Sequence, residues 1–295
     1  MVGRSRFGKH AEMELPLVLL DAIVSRALVE DLSAGDITTE ACVDRATTAV
    51  AHAVARTPMV SCGGEVFARV FQQVDESLRV VVHVEDGSSV AAGARLWTVS
   101  GRARSVLSGE RVALNLTQRM TGIATLTARY VAAIASGTKT RITDTRKTTP
   151  GLRVLERYAV RKGGGYNHRD HLGSAVLIKD NHIVACGGAG AAVARARAHA
   201  THTCRIECEI DRLEQLEEVI AAGADIVLLD NMSTDVVEEA VRRAAGRVLL
   251  EASGGITFER VRELSLAGVD AISVGALTHS APAADIGLDF ESSTK

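Results

Sequence analysis

Beyond residue 139 the chain settles into a repeating alternation of short apolar runs and longer mixed stretches. The apolar runs fall at 140–144 (TRITD), 175–178 (AVLI), 205–210 (RIECEI), 225–229 (DIVLL), 247–251 (RVLLE) and 270–274 (DAISV). Each has strand length. Helical periodicity fills 211–223, 233–246 and 257–268, and each of these stretches stops at a glycine, a common helix terminator. Strand and helix alternating at this spacing predict βα units around a parallel sheet. Six strands are fewer than the eight of a regular barrel.

The first part of the chain has no such repeat. Residues 15–31 predict a helix, 47–56 and 78–85 strands, and 63–74 a helix between them. Residues 86–101 (DGSSVAAGARLWTVSG) have the turn–strand rhythm of a β-hammerhead. Lipoyl and biotinyl carriers share that rhythm but need an exposed Lys at a hairpin tip, and none is present here. A long helical stretch covers 105–136, with Gly109 and Gly122 as expected breaks. The start is basic (MVGRSRFGKH) and runs into LPLVLLDAIV, but Glu12, Glu14 and Asp21 interrupt what would otherwise resemble a signal peptide. A flexible basic arm over 1–12 followed by an amphipathic helix is the expectation. The apolar runs fall short of the roughly eighteen residues of a membrane span.

Composition narrows the picture. Apolar residues make up 46% and aromatics only 3%, so the core must be aliphatic. A net charge of -2 and few aromatics give no general attraction to nucleic acid and little stacking surface. The five cysteines are scattered without a CxxC pair, the usage of reduced thiols in a cytoplasm. His202, Cys204 and Cys208 lack a nearby fourth ligand, which favours small buried thiols over a metal site.

Chemistry in a βα barrel gathers past the C-terminal strand ends, and there the polar residues recur. Asp144, Thr145, Arg146 and Lys147 follow the first strand, and Lys179, Asp180, Asn181 and His182 the second. Glu207 and Glu209 lie on the third, and Asp230 and Asn231 end the fourth. Glu251 to Gly255 end the fifth, and Gly275, Ala276 and Leu277 follow the sixth. Ser253, Gly254 and Gly255 together with Gly275, Ala276 and Leu277 match a barrel phosphate cup, because glycine lets backbone N–H groups approach an anion. Residues 163–171 (GGGYNHRDH) suggest either a metal, from the histidines, or a phosphate, from the glycines. Arg146, Lys147, His168, Arg169 and Lys179 would repel one another without a heavily anionic ligand. Glu209 and Asp230 offer the hard oxygen donors that suit Mg2+. Together these residues describe a site for a phosphorylated polyanion, a divalent metal and a second, carboxylated ligand. Lys179 could instead form a Schiff base, as in a class I aldolase, but that role calls for a desolvated lysine rather than one among several cations.

The chain resembles the quinolinate phosphoribosyltransferases. The resemblance is carried by EDLSAGDITTE (30–40), LSGERVALNLTQRMTGIAT (107–125), DTRKTTPGLRVLERYAVRKGGGYNHR (144–169), VLIKDNHI (176–183), LLDNM (228–232), LEASGGI (250–256) and ISVGALTHSAPAADIGL (272–288). It implies an α/β protein in which an N-terminal α/β open-faced sandwich, 13–118, precedes an irregular βα barrel with fewer than eight regular strands, 119–295. It further implies a homo-oligomer, a dimer or hexamer, with Arg111 reaching the neighbouring subunit's site. Arg146, His168, Arg169 and Lys179 would hold the carboxylates of quinolinate, Lys147 and Lys179 would serve phosphoribosyl pyrophosphate, and Thr145 would be a further substrate-binding residue. Glu209 and Asp230 would face the ribose and Mg2+. Ser253 to Gly255 and Gly275 to Leu277 would cup a phosphate. Lys147, Glu209 and Asp230 are the implied catalytic residues. After Asn167-His168-Arg169 the family usually reads an apolar residue, a small residue, Leu, a variable residue and Asp. Here Asp170, His171, Leu172, Gly173 and Ser174 stand instead, so this loop is expected to be built differently.

Overall fold

The computed structural model describes residues 14–291, so the expected basic arm lies outside the described residues. In chain order the elements are α1 (Leu17–Leu32), α2 (Ile37–Cys42), β1 (Thr48–Ala55), β2 (Met59–Val60), α3 (Gly64–Val74), β3 (Arg79–Val82), β4 (Ser89–Val90), β5 (Arg95–Arg102) and α4 (Ala103–Ala132). They continue with β6 (Arg141–Thr143), α5 (Arg153–Lys162), β7 (Val176–Ile178), α6 (Asp180–Cys186), α7 (Ala189–His199), β8 (Ile206–Ile210) and α8 (Gln215–Ala221). The last are β9 (Ile226–Asp230), α9 (Thr234–Ala244), β10 (Leu249–Ser253), α10 (Phe258–Ala267), β11 (Ala271–Ser273), α11 (Ala276–His279) and β12 (Ile286–Phe290).

The first domain is an open-faced sandwich whose antiparallel sheet has the order β12-β1-β5-β3. Alternation along β1 buries Ala51, Ala53 and Ala55 and leaves His52 on the other face, where its Nδ1 lies 2.8 Å from Thr98 Oγ1. The core between this sheet and α3 carries one aromatic cluster among aliphatic side chains. Phe67 packs edge-on to Phe71 at 4.8 Å and tilted against Trp97 at 5.1 Å. The hammerhead segment divides: β4 pairs with β2 in a separate two-stranded sheet, and β5 joins the main one.

The second domain holds the six expected strands, all parallel, in the order β6-β11-β10-β9-β8-β7. The sheet curls but does not close. β6 and β7 are its two edges, and only a single bridge, Thr143 to Tyr166, ties the intervening segment to β6.

Three expectations need correction. Gly109 and Gly122 do not break the long helix, since α4 is continuous for 30 residues. They are close-approach positions: a Cβ on Gly109 would lie 2.9 Å from the Phe71 ring, and one on Gly122 would overlap the Pro282 carbonyl. The expected boundary between 118 and 119 falls inside α4, which belongs to both domains. Moreover, β12 pairs with β1, so the chain returns to the first sheet after finishing the barrel. The fifth barrel strand also sits two residues later than its apolar run, at Leu249–Ser253, which turns Glu251 from a strand-end residue into one in the middle of a strand. Among the described residues no helix is long and apolar enough to cross a membrane.

Replacing Gly122 by Val should destabilise the protein by about 1–3 kcal/mol, the usual range for overpacking a filled contact. A lowered thermal midpoint would show it, and an unchanged midpoint would mean that the Pro282 carbonyl yields freely.

Candidate active site

Side chains alternate along each barrel strand, and the parallel register stacks them in layers. Glu251 stands level with Leu228 and Ala271. One layer further along, Ser253 is level with Asp230 and Ser273, and Ser273 with Thr143. Above this layer opens a cavity of about 630 Å³. Its walls include Thr145, Arg146 and Lys147 after β6, Lys179 after β7, Glu209 on β8, Asp230 at the end of β9 with Asn231 after it, and Ser253 at the end of β10 with Gly254 and Gly255 after it. His168 and Arg169 enter from the segment between β6 and β7.

The structure therefore gathers into one cavity eleven of the expected residues: Thr145, Arg146, Lys147, His168, Arg169, Lys179, Glu209, Asp230, Ser253, Gly254 and Gly255. The phosphate cup is only half seen. Gly254 and Gly255 adopt φ of 92° and 58°, which glycine accommodates without strain. A Cβ on Gly254 would collide with Asn231. Gly275, Ala276 and Leu277 do not line the cavity. Gly275 backs onto Lys147, whose Cδ is 3.1 Å from where its Cβ would be. Leu277 is fully buried, and its N–H already donates to Val274 O at 3.3 Å. Arg111 is exposed on α4 and does not line this cavity.

Charge in the cavity is partly balanced. Lys179 Nζ lies 3.1 Å from Glu209 Oε2. Asp230 Oδ2 accepts from Asn231 Nδ2 at 3.0 Å. Arg169 donates to Ala175 O at 3.0 Å, and its guanidinium is held below its ordinary value first by burial and then by the nearby Arg146. The buried Nε of Arg146 has no partner. Two partly desolvated guanidiniums side by side favour a doubly charged anion.

The GGGYNHRDH segment is fastened from beneath by Asp144, a residue whose role its position alone did not reveal. Its fully buried carboxylate accepts the His168 N–H at 2.7 Å and Asn167 Nδ2 at 2.6 Å. Arg157 Nε stands 3.7 Å away. Burial pushes Asp144 up to about 6, against the pull of Arg157 and these hydrogen bonds. Arg157, itself buried, also binds Asp170 Oδ1 at 2.9 Å and Arg169 O at 2.8 Å. The departures from the family pattern thus have partners. Asp170 pairs with Arg157 rather than with its neighbour Arg169, and Ser174 closes the turn by donating to His171 O at 2.9 Å. Gly163 and Gly165 pack against Thr127 of α4 too closely for a side chain. A second brace holds the Lys147 loop. Buried Glu156 binds Arg119 at 2.9 Å and accepts the Thr149 N–H at 3.1 Å, while Thr278 donates to Lys147 O at 2.8 Å.

Neither early reading of the histidines holds unchanged. His168 Nε2 lies 3.0 Å from Glu207 Oε2 and 3.5 Å from Glu251 Oε1, inside the barrel. These three are the only group of described residues with the spacing of a metal site. They already form an internal hydrogen bond and are not the expected Mg2+ ligands. His182 instead caps α6 by accepting the Lys179 N–H at 3.0 Å. No cysteine is paired; Cys208 is buried and Cys204 half-buried, and neither belongs to a metal-spaced group among the described residues.

A barrel rim with adjacent guanidiniums, two lysines, a carboxylate pair and a glycine turn defines a site for a multiply anionic, phosphorylated substrate. Comparison with known proteins makes this specific. Residues 36–121 match the N-terminal domain, and 123–289 the C-terminal domain, of quinolinate phosphoribosyl transferase. The chain belongs to this family. It is 46% identical to the nicotinate-nucleotide pyrophosphorylase [carboxylating] of Mycobacterium leprae, over 90% of this chain and 95% of that protein. It is 42% identical to the probable enzyme of that name from Bacillus subtilis, over 92% and 93%. The crystal structure of NadC from Streptococcus pyogenes superimposes with a TM-score of 0.90 at 40% identity, covering 95% of this chain and all of that one.

Replacing Arg157 by Met should destabilise the fold by about 3–5 kcal/mol near neutral pH, because it leaves Asp144 buried without its cation. Asp144 has a folded value above its ordinary 3.8, so it gains a proton on folding between about pH 4 and pH 6 and favours the folded state below that window. Once Asp144 is protonated, Arg157 has less charge to offset. Urea unfolding should therefore show a larger deficit for the variant near pH 8 than near pH 5, and an equal deficit would remove Asp144 from the account.

Proposed function

We propose that the upper cavity transfers a phosphoribosyl group from phosphoribosyl pyrophosphate to quinolinate with loss of CO2, giving nicotinate mononucleotide and pyrophosphate. The observation that carries this reading is the convergence of Arg146, Lys147, Arg169, Lys179, Glu209 and Asp230 on one cavity with the Gly254–Gly255 turn, in a chain of this family. Arg146, Arg169 and Lys179, with His168 beside them, hold the two carboxylates of quinolinate. Thr145, Lys147 and the Ser253–Gly255 turn take the donor's phosphates, with Gly275 giving Lys147 room.

The oxygen donors of Glu209 and Asp230 suit Mg2+, which usually takes one or two carboxylates along with substrate phosphates. Bound there, the metal would neutralise charge on the departing pyrophosphate. The protein's own contribution is positioning and fixed charge. The ring nitrogen is aimed at C1 of the ribose, the C1–O bond to pyrophosphate breaks, and the N–C1 bond forms. The positive ring then draws electrons, and the adjacent carboxylate leaves as CO2. Lys147 offsets developing phosphate charge, and Glu209 and Asp230 offset the positive charge on the ribose. On this reading Arg111, exposed on α4 and outside the cavity, serves the site of a neighbouring copy in a homo-oligomer. The unpaired cysteines suit a reducing, cytoplasmic setting.

The purified protein with Mg2+ and both substrates should form nicotinate mononucleotide, and chelation of the metal should abolish it; no product would overturn the assignment. Arg111→Ala and Lys147→Ala should each lose about 10²-fold or more in kcat/KM, as for removal of a preorganised charge. Mixing the two variants should recover part of the activity, because mixed oligomers contain sites with both residues intact. No recovery would rule out a shared site.

A further inference from the structure

The barrel lumen is open at both ends. Below the substrate cavity, at the N-terminal mouth of the strands, lies a second cavity of about 390 Å³, reached past Thr203 and Arg205. Only His168, Arg169 and Glu251 line both. Buried oxygens without a hydrogen-bond partner in the protein border the lower cavity: Thr143 Oγ1, Glu207 Oε1 and Glu251 Oε1. Polar atoms in a space this large are suited to a chain of water.

The chemistry of the upper cavity leaves a requirement open. Loss of CO2 breaks the bond from ring C2 to its carboxylate and leaves the electron pair on C2. One proton must then be supplied in every turnover. We propose that Glu251 is the general acid that protonates C2, and that solvent water resupplies its proton through the lower cavity. The C2 electron pair forms the new C–H bond, Glu251 is left as carboxylate, and water returns a proton, so no oxidant or reductant enters. The inference rests on the reading of the upper cavity as the site of decarboxylation.

Geometry shows why Glu251 holds the proton. The Arg169 N–H donates to His168 Nδ1 at 2.7 Å, so that nitrogen carries no proton and the imidazole hydrogen sits on Nε2, facing Glu207 at 3.0 Å. Although the acids around His168 would raise it to about 9, the occupied Nδ1 favours the neutral ring. The proton that would have made it an imidazolium then resides on Glu251, which burial and the neighbouring Glu207 push well above the ordinary carboxylate range. A carboxyl kept protonated near neutrality is the requirement for a general acid.

The test is a single turnover with pyrophosphate and nicotinate mononucleotide followed together, in water and in an equal mixture of H2O and D2O. In Glu251→Gln, nicotinate mononucleotide should lag pyrophosphate by about tenfold or more, a general acid commonly contributing 10²–10⁴-fold. Quinolinate mononucleotide should accumulate, and the H:D ratio at C2 should shift because water replaces the carboxyl as donor. Glu251→Asp, which keeps an acid, should recover part of the rate. Over repeated turnovers, Thr203→Trp, at the exposed lower mouth, should slow nicotinate mononucleotide formation while leaving the first turnover unchanged, because only later cycles need a fresh proton. If both products fall together in Glu251→Gln with an unshifted isotope ratio, Glu251 is only structural and the proposal fails. If Thr203→Trp leaves the rate of repeated turnovers unchanged, the solvent route fails. A wild-type protein that makes no nicotinate mononucleotide would refute the reading of the reaction instead.

Discussion

A parallel sheet of six strands cannot complete a barrel by itself, so some other part of the chain must occupy the seam between β6 and β7. Here that part is the segment from Gly163 to Ala175, and its position depends on one buried carboxylate. Asp144 accepts hydrogen bonds from the His168 backbone and the Asn167 side chain, with Arg157 alongside to balance its charge. That anchor turns His168 and Arg169 toward the lumen, where Glu207 and Arg157 hold them further. The cationic side of the active site is thus a consequence of how an incomplete barrel is closed.

The same residues connect packing to electrostatics. Gly163 and Gly165 bring the segment against α4, where a side chain would collide with Thr127, and so carry it into the interior. Once inside, its polar groups need partners. Arg157 meets that need on one side, binding Asp170 and the Arg169 carbonyl, and Glu207 on the other. Glu156 and Arg119 do the equivalent for the Lys147 loop. The lining of the site is therefore held by buried ion pairs rather than by apolar packing, and buried pairs of this kind set position more than they add stability.

Much of this was legible in the chain. The aliphatic runs located all six barrel strands, and the polar residues after them located the cavity, because strand direction determines which end carries the chemistry. What could not be read had identifiable causes. The run RVLLE looked like the fifth strand, yet the strand extends to Ser253, since apolarity marks the buried part of a strand and not its end. That shift hid the inward position of Glu251. Asp144, Arg157 and Glu156 looked like ordinary polar positions, because their partners lie elsewhere in the chain. Gly109 and Gly122 were read as helix breaks when they accommodate neighbours. Asp170 looked like an intrusion beside Arg169 until its actual partner, Arg157, was in view. The terminal strand was missed because its partner, β1, lies more than two hundred residues earlier.

That terminal strand bears on how the protein is made. Residues Ile286–Phe290 pair with Ala51–Ala55, so the edge strand of the first sheet leaves the ribosome after every strand of the barrel. Until then β1 presents an unpaired edge, a template for mispairing with another nascent chain. The growing polypeptide must complete the barrel strands before its opening domain can be finished, and only then do the two halves become one topologically stitched unit.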